Sequence, residues 1–402
     1  MQLTGKAKPA AVVLAVLAVA GIAAWIYQLV GGLGVTGMNN GASWGIYTIC
    51  FMFFVGLSAG GLIVASSASV FHIERFKAVA VPAVILSTVC ICLAGMFVLI
   101  DLGGIQRVWR MLTGPNFMSP LLWDMVVIVC YLVINVLYLR YMCSSKADPM
   151  KVEIISRFAL PVAILVHSVT AWIFGLQISR EGWHTAILAP IFVASAMDSG
   201  LALLILSLFG LDKAGKIKFA KDLQASLAGL LATCIAIDAF FIGCELLTMA
   251  YPNAAGTNEL LSVMFTGSTA LFFWIEILAG LLAPFCVLVF AKNRANGNLV
   301  ITASILVVIG VFCKRVWLLL TSFAVPNIYG APGIASGSSA GANATGANIW
   351  SLAGVYTPTW VELVVVIGVI SLGTLAFIML SEKLLGAKPA SAEAELPAEA
   401  AA

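Results

Sequence analysis

The stretch DLGGIQRVWRMLTGPNFMSPLLWD, residues 101–124, joins two apolar runs at about 79–101 and 120–142, and its reading decides the fold. Each run is about 20 residues long, enough for a helix to cross a hydrocarbon core of roughly 30 Å. Between them stand Arg107, Arg110, Trp109, Trp123 and a Gly-Pro-Asn turn, with one carboxylate at each helix mouth, Asp101 and Asp124. Ionisable groups at membrane depth are expensive and mark functional sites. The stretch reads as a place where a molecule with a polar head and an apolar tail docks, and the expectation is a quinol site.

Apolar runs of the same length recur along the chain, ten in all, at about 10–30, 44–71, 79–101, 120–142, 156–178, 186–209, 224–250, 267–291, 299–321 and 360–382. Of the 402 residues, 62% are hydrophobic and 10% charged, a balance that excludes a soluble domain because its surface would need far more charge. A transmembrane β-barrel would show short alternating segments, whereas these runs are continuous. The fold class is therefore an all-α integral membrane protein with about ten transmembrane helices. A faint repeat of charges, Asp101 and Asp124 in one half and Glu245 and Glu276 in the other, suggests two related four-helix bundles, spans 2–5 and 6–9. Spans 1 and 10 would flank them. The polytopic domain is placed at 1–388. The Gly/Ala/Ser/Asn-rich segment 332–348 reads as a mobile connector and the tail 389–402 as disordered.

Sixteen lysines and arginines fall on one side of these spans and only Arg107, Arg110 and Arg180 on the other; Lys314 and Arg315 lie within a span. By the positive-inside rule both termini are cytoplasmic and the 101–124 loop faces outward from a bacterial or archaeal cytoplasmic membrane. The length of the first run favours a retained helix over a cleaved signal peptide. The nine cysteines form no CxxC pair, so no metal site is expected. Of the histidines, His72, His167 and His184, only His167 lies deep in a span, so no haem or iron–sulfur cluster is expected in this chain. The cations follow topology and form no nucleic-acid patch.

Span 2, NNGASWGIYTICFMFFVGLSAGGLIVASS (39–67), carries Gly56 and Gly60 in a GxxxG pattern suited to close helix approach. Asn40, Trp44 and Tyr47 stand at its outward mouth, where they could wall a ring-binding cleft. The turn between spans 5 and 6 holds Arg180, Glu181, Trp183 and His184, which read as a surface patch. Deeper lie His167, Asp198, Asp238, Glu245, Glu276, Lys314 and Arg315. These could form a proton path, or they could be structural ion pairs, Lys314 or Arg315 with Glu245 or Glu276.

Several of these stretches resemble the NrfD/PsrC (polysulfide reductase membrane subunit) family in its ten-helix form. They are Trp44-Gly45 followed by FFVGLSAGG, then DLG…R…W…L…N..SPL.WD across 101–124, then HSVTAW with APIFVASA…SGLALL, and finally D..F.G.ELL in span 7. The family often has Arg-Pro where this chain has Gly104-Ile105, leaving Arg107 as the matched arginine. The resemblance implies a subunit without its own redox cofactor that exchanges electrons between menaquinone or ubiquinone and a partner iron–sulfur subunit. That partner would be a four-cluster ferredoxin-like protein on the outward face, backed by a molybdopterin or other redox enzyme. Some relatives are thought to translocate protons.

The residues suit that chemistry. Oxidising a quinol releases two electrons and two protons, so the ring needs hydrogen-bond partners and a base within reach. Asp101, Asp124 or Glu245 could serve as bases, and Asn40, Tyr47 or Arg107 could orient the ring beside Trp123. Two other readings stay open: a proton-coupled secondary transporter using the same carboxylates, and a passive membrane anchor.

Overall fold

The computed structural model describes residues 7–70, 73–143, 149–325 and 354–385. His72, the 332–348 segment and the 389–402 tail lie outside them. Among the described residues the chain is helical without strands, and ten helices are long and apolar enough to cross a membrane. We number them α1 (Ala7–Gly31), α2 (Ile46–Val70), α3 (Ala80–Asp101), α4 (Pro120–Met142), α5 (Pro149–Gly175), α6 (Leu188–Lys213), α7 (Lys221–Ala250), α8 (Ala270–Leu288), α9 (Gly297–Ala324) and α10 (Trp360–Leu385). The protein is an all-α integral membrane protein.

Local chemistry sets several helix ends. Ser119 is extended and Pro120 opens α4, where a missing N–H costs nothing because the first turn has no internal acceptor for it. Asn296 caps α9 by accepting the Asn298 N–H at 3.1 Å. Within α8, residues Ile275–Leu282 wind as π-helix ahead of Pro284. Proline cannot donate to the carbonyl four residues back and its ring crowds it, which the wider turn accommodates.

α2 is the hub. Nearly all of its apolar stretch is buried, and it packs against α3, α5, α6 and α9. α3 also touches α4, and α4 touches α5, which returns to α2; in the same way α6 meets α7, α7 meets α8, α8 meets α9, and α9 returns to α6. α1 pairs chiefly with α10, which rests on α3, and its outer stripe of Val12, Val16, Val19 and Ile26 is exposed as a lipid-facing surface. Tyrosines stitch α4 to α2: Tyr131 donates to the Ser58 carbonyl at 3.0 Å and Tyr138 to that of Ala65 at 3.1 Å. In hydrocarbon such polar contacts and close backbone packing take over the role that hydrophobic burial plays in water.

The glycines of α2 do that second job. A Cβ on Gly60 would stand 2.5 Å from the Gly200 Cα of α6, so the helices cross backbone to backbone. Gly56 instead leaves room for the Arg315 guanidinium, whose nitrogen a Cβ would meet at 3.6 Å. The GxxxG pattern thus serves two ends, a helix crossing and a berth for a buried cation.

Candidate functional site

Two clusters of polar groups stand out, one at the helix ends around Asp101 and one deep between α5, α6, α7, α8 and α9. At the Asp101 end, Thr48 of α2 donates to Asp101 Oδ2 at 3.2 Å, while Asp101 Oδ1 is buried with no hydrogen-bond partner among the described residues. Tyr47, fully buried, donates to Gln28 Oε1 at 2.6 Å, and Gln28 Nε2 donates to the Ile100 carbonyl at 3.2 Å. Three helices, α1, α2 and α3, are therefore tied at one level. On the other flank of α2, Thr170 donates to Asp124 Oδ1 at 2.6 Å across the α4–α5 contact. Asp101 and Asp124 stand on separate helix pairs that share α2 as a neighbour.

Trp44 closes the next side. Its ring stacks on Trp183 at 5.8 Å and meets Phe174 edge-on at 5.4 Å. Trp183 is buried, and its indole donates to the Leu318 carbonyl at 2.9 Å. Arg180 donates to the Ser322 carbonyl at 2.7 Å and lies over the Phe323 ring at 4.9 Å; burial lowers its pKa from the ordinary value. The expected surface patch at 180–184 holds for Glu181 and His184, which are exposed, and is corrected for Trp183 and Arg180: these tuck over the last turns of α9, where the Ser322 carbonyl, free of an intrahelical donor, takes Arg180 and the Leu318 carbonyl takes the Trp183 indole.

A strap of residues 354–359 crosses the same end. Glu362, fully buried in the first turn of α10, accepts the Gly37 N–H and the Thr359 N–H at 2.8 Å each, and the Tyr356 hydroxyl at 2.8 Å. Tyr356 in turn accepts the Ile46 N–H at 2.8 Å, which fixes the start of α2. Burial and the adjacent Glu362 carboxylate push the Tyr356 phenol above the usual tyrosine range. Reading the sequence missed this latch, although an acidic residue in the first turn of the last span was visible. It also missed Gln28, a polar residue in an otherwise apolar span.

The remaining residues expected at the mouth sit at its rim. Asn40 and Arg107 are exposed, and Trp123 is half-buried with its indole donating to the Phe117 carbonyl at 2.7 Å. Trp109, Leu112, Phe117 and Met118 of the intervening loop are strongly exposed.

The deep cluster is organised by Lys314. Its ammonium donates to Asp238 at 2.8 and 2.9 Å and lies 3.4 Å from Glu276, with all three side chains essentially inaccessible. Trp317 donates to the other Glu276 oxygen. The π-helical stretch of α8 carries Glu276 to this position. Arg315, next in sequence, turns towards α6: it donates to Ser195 Oγ at 2.7 Å and stacks its guanidinium on Phe192 at 4.0 Å. Among the described residues its Nε and Nη1 have no partner, nor has either oxygen of Asp198 or Nε2 of His167, all fully buried. Asp198, Asp238 and Glu276 all lie within electrostatic reach of Arg315. Glu245 stands apart, accepting from Thr185 at 3.0 Å on the wall of a small cavity of about 40 Å³ that Lys314 and Trp317 also line. Lys314 does pair with Glu276, as one sequence alternative held, but its closer partner is Asp238.

Residues 34–327 match the family model described as polysulphide reductase, NrfD. A candidate dimethyl sulfoxide reductase membrane subunit of Halobacterium salinarum is 36% identical over 90% of this chain and 88% of its own length. The integral membrane subunit of an Hdr-like menaquinol oxidoreductase of Archaeoglobus fulgidus is 28% identical, over 92% of this chain and 91% of that protein. A selenate reductase subunit of Mesobacillus selenatarsenatis is 24% identical over 79% and 83%. With its motifs, its ten apolar helices and these matches, the chain belongs to the polysulphide reductase NrfD family.

Proposed function

We propose that this chain is the membrane subunit of a respiratory oxidoreductase complex, exchanging electrons between quinol and a partner iron–sulfur subunit. The Asp101 end would face outward from a cytoplasmic membrane, with both termini inside. Behind the partner would stand a molybdopterin or other redox catalytic subunit. Relatives named as subunits of reductases and of a menaquinol oxidoreductase support this reading, and the menaquinol oxidoreductase favours menaquinone.

The observation that carries the quinol assignment is Asp101 Oδ1, a buried carboxylate oxygen left open beside the Tyr47–Gln28 pair at the end of an apolar bundle. Such an atom suits a group that accepts a quinol hydroxyl proton, a base within hydrogen-bond reach being the first requirement. Loss of two electrons from a quinol releases two protons. Asp101 and Asp124, on either flank of α2, provide two acceptors; Trp44 and Tyr47 wall the mouth, and Asn40, Arg107 and Trp123 form its rim. The electrons leave to the partner subunit. His167, Asp198, Asp238, Glu245, Glu276, Lys314 and Arg315 form a proton path in this reading, because open hydrogen-bonding positions on Arg315, Asp198 and His167 are what a relay through a buried cluster requires.

Binding of a quinol analogue to the purified protein, followed by tryptophan fluorescence quenching, tests the site. Asp101→Asn and Asp124→Asn should each weaken binding and slow quinol-linked turnover while the complex still assembles. Wild-type behaviour in both variants would remove the assignment.

A further inference from the structure

α1, α3 and α10 enclose a cavity of about 250 Å³ with an almost wholly apolar lining. Ala18, Gly21, Ile22 and Trp25 line it from α1; Met96, Leu99 and Ile100 from α3; Val365, Gly368, Val369 and Leu372 from α10. Each set follows helical spacing, so one face of each helix is given over to the cavity. Ile22 and Leu99 are exposed, which opens the cavity sideways towards lipid.

Two observations separate this cleft from a packing flaw. Followed about one turn or less towards the Asp101 end, each wall ends in a polar residue of the mouth: Gln28 after Trp25, Asp101 after Ile100, Glu362 before Val365. The apolar space therefore ends about one helical turn or less from the level of Asp101. Within the wall, the Trp25 indole N–H is buried without an acceptor among the described residues. A buried donor left unpaired costs free energy, so a molecule entering along the cleft gains when it carries an acceptor past that depth. A phospholipid acyl chain has none there, whereas a quinol ring passing on to Asp101 has two oxygens.

We infer that this cleft is the lateral port of the quinol site, where the isoprenoid tail lies between α1, α3 and α10 while the ring reaches the Asp101 mouth. The inference rests on the quinol reading above and gives the two outermost helices a ligand-binding task. Close α1–α10 packing supports the geometry: a Cβ on Gly21 would stand 2.6 Å from the Gly368 Cα, so these helices meet at the glycines that floor the cleft.

The test uses two probes on the full chain in its native membrane complex. The first is a naphthoquinol whose three-isoprene tail ends in a diazirine. On irradiation it should label lining residues of α1, α3 or α10; labels confined to α4 and α5 would overturn the inference. The second experiment compares that probe, unirradiated, with tail-less 2,3-dimethylnaphthoquinol. Val369→Phe should weaken the tailed probe about tenfold, the loss expected when roughly two methylenes can no longer be buried, and leave the tail-less probe unchanged. Equal affinity of variant and wild type for the tailed probe would count against the cleft. Should the variant lose both probes, the wild-type labelling decides alone. If Asp101→Asn binds both probes as wild type does, the ring assignment fails instead.

Discussion

Replacing Lys314 with Met isolates the deep ion cluster. In the native protein one ammonium serves two carboxylates, Asp238 at 2.8 Å and Glu276 at 3.4 Å, with exposures of 0% and 1%. Neither carboxylate can turn to water when the cation goes. Removing one partner of a buried pair leaves uncompensated charge, which costs about 3–5 kcal/mol. Removing both together is far milder, because a buried pair gains little net energy over apolar groups of similar size. The double variant Lys314→Met/Asp238→Asn should therefore recover much of the loss, with an interaction energy of about 2 kcal/mol or more in a double-mutant cycle. Recovery stays incomplete because Glu276 keeps only Trp317 as a donor. The assay is reversible unfolding of the purified protein in mixed detergent micelles for the wild type, both single variants and the double. Single costs that add to within about 0.5 kcal/mol would refute the reasoning, since that is the behaviour of independent sites.

The helix crossing at Gly60 gives a sharper structural test. Gly60→Leu drives a side chain into the Gly200 backbone, and the variant should fail to accumulate in membranes, whereas Gly56→Ala, facing the Arg315 guanidinium at 3.6 Å, should be tolerated. Normal accumulation of Gly60→Leu, read by membrane immunoblot, would contradict the packing. Glu362→Ala strips four donors of their acceptor, the Gly37 and Thr359 N–H groups and the Tyr356 and Thr359 hydroxyls, and should lower stability by about 4 kcal/mol, at roughly 1 kcal/mol for each unsatisfied group. Amide exchange should then speed up at Gly37 and Thr359 before it does elsewhere. Trp183→Phe keeps the ring but loses the bond to Leu318, and should cost about 1 kcal/mol in the same unfolding assay.

Helix number and most limits were legible because a bilayer imposes one length and one solvent on every span, so that hydropathy marks them, although α5 begins seven residues before its apolar run, at Pro149. The ends around Asp101 and Asp124 were visible for the same reason, as charges where an apolar run stops. Partners were another matter. Glu362 reaches Gly37 across 325 residues and Arg315 reaches Ser195 across 120, and no local pattern announces such pairings. Trp183 and Arg180 misled because turns are usually exposed; the carbonyls they bind belong to a helix more than 130 residues later. Gln28 was the clearest signal overlooked, since a lone amide inside an apolar span needs partners, and it has two. Widening of α8 into π geometry was also hidden, Pro284 being its single local cue.

That widened stretch has an evolutionary and engineering consequence. A π turn is an α-helix holding one surplus residue, so deleting one residue within Ile275–Leu282 would let α8 relax to ordinary winding without moving its ends. Each residue of α-helix turns about 100°, so a deletion on one side of Glu276 would swing its carboxylate off Lys314 and Trp317 and towards another neighbour. The charge pattern of the deep cluster is thus indexed by chain length as much as by residue identity, and a single codon lost or gained in α8 would act as a rotary selector for which cation keeps which acid.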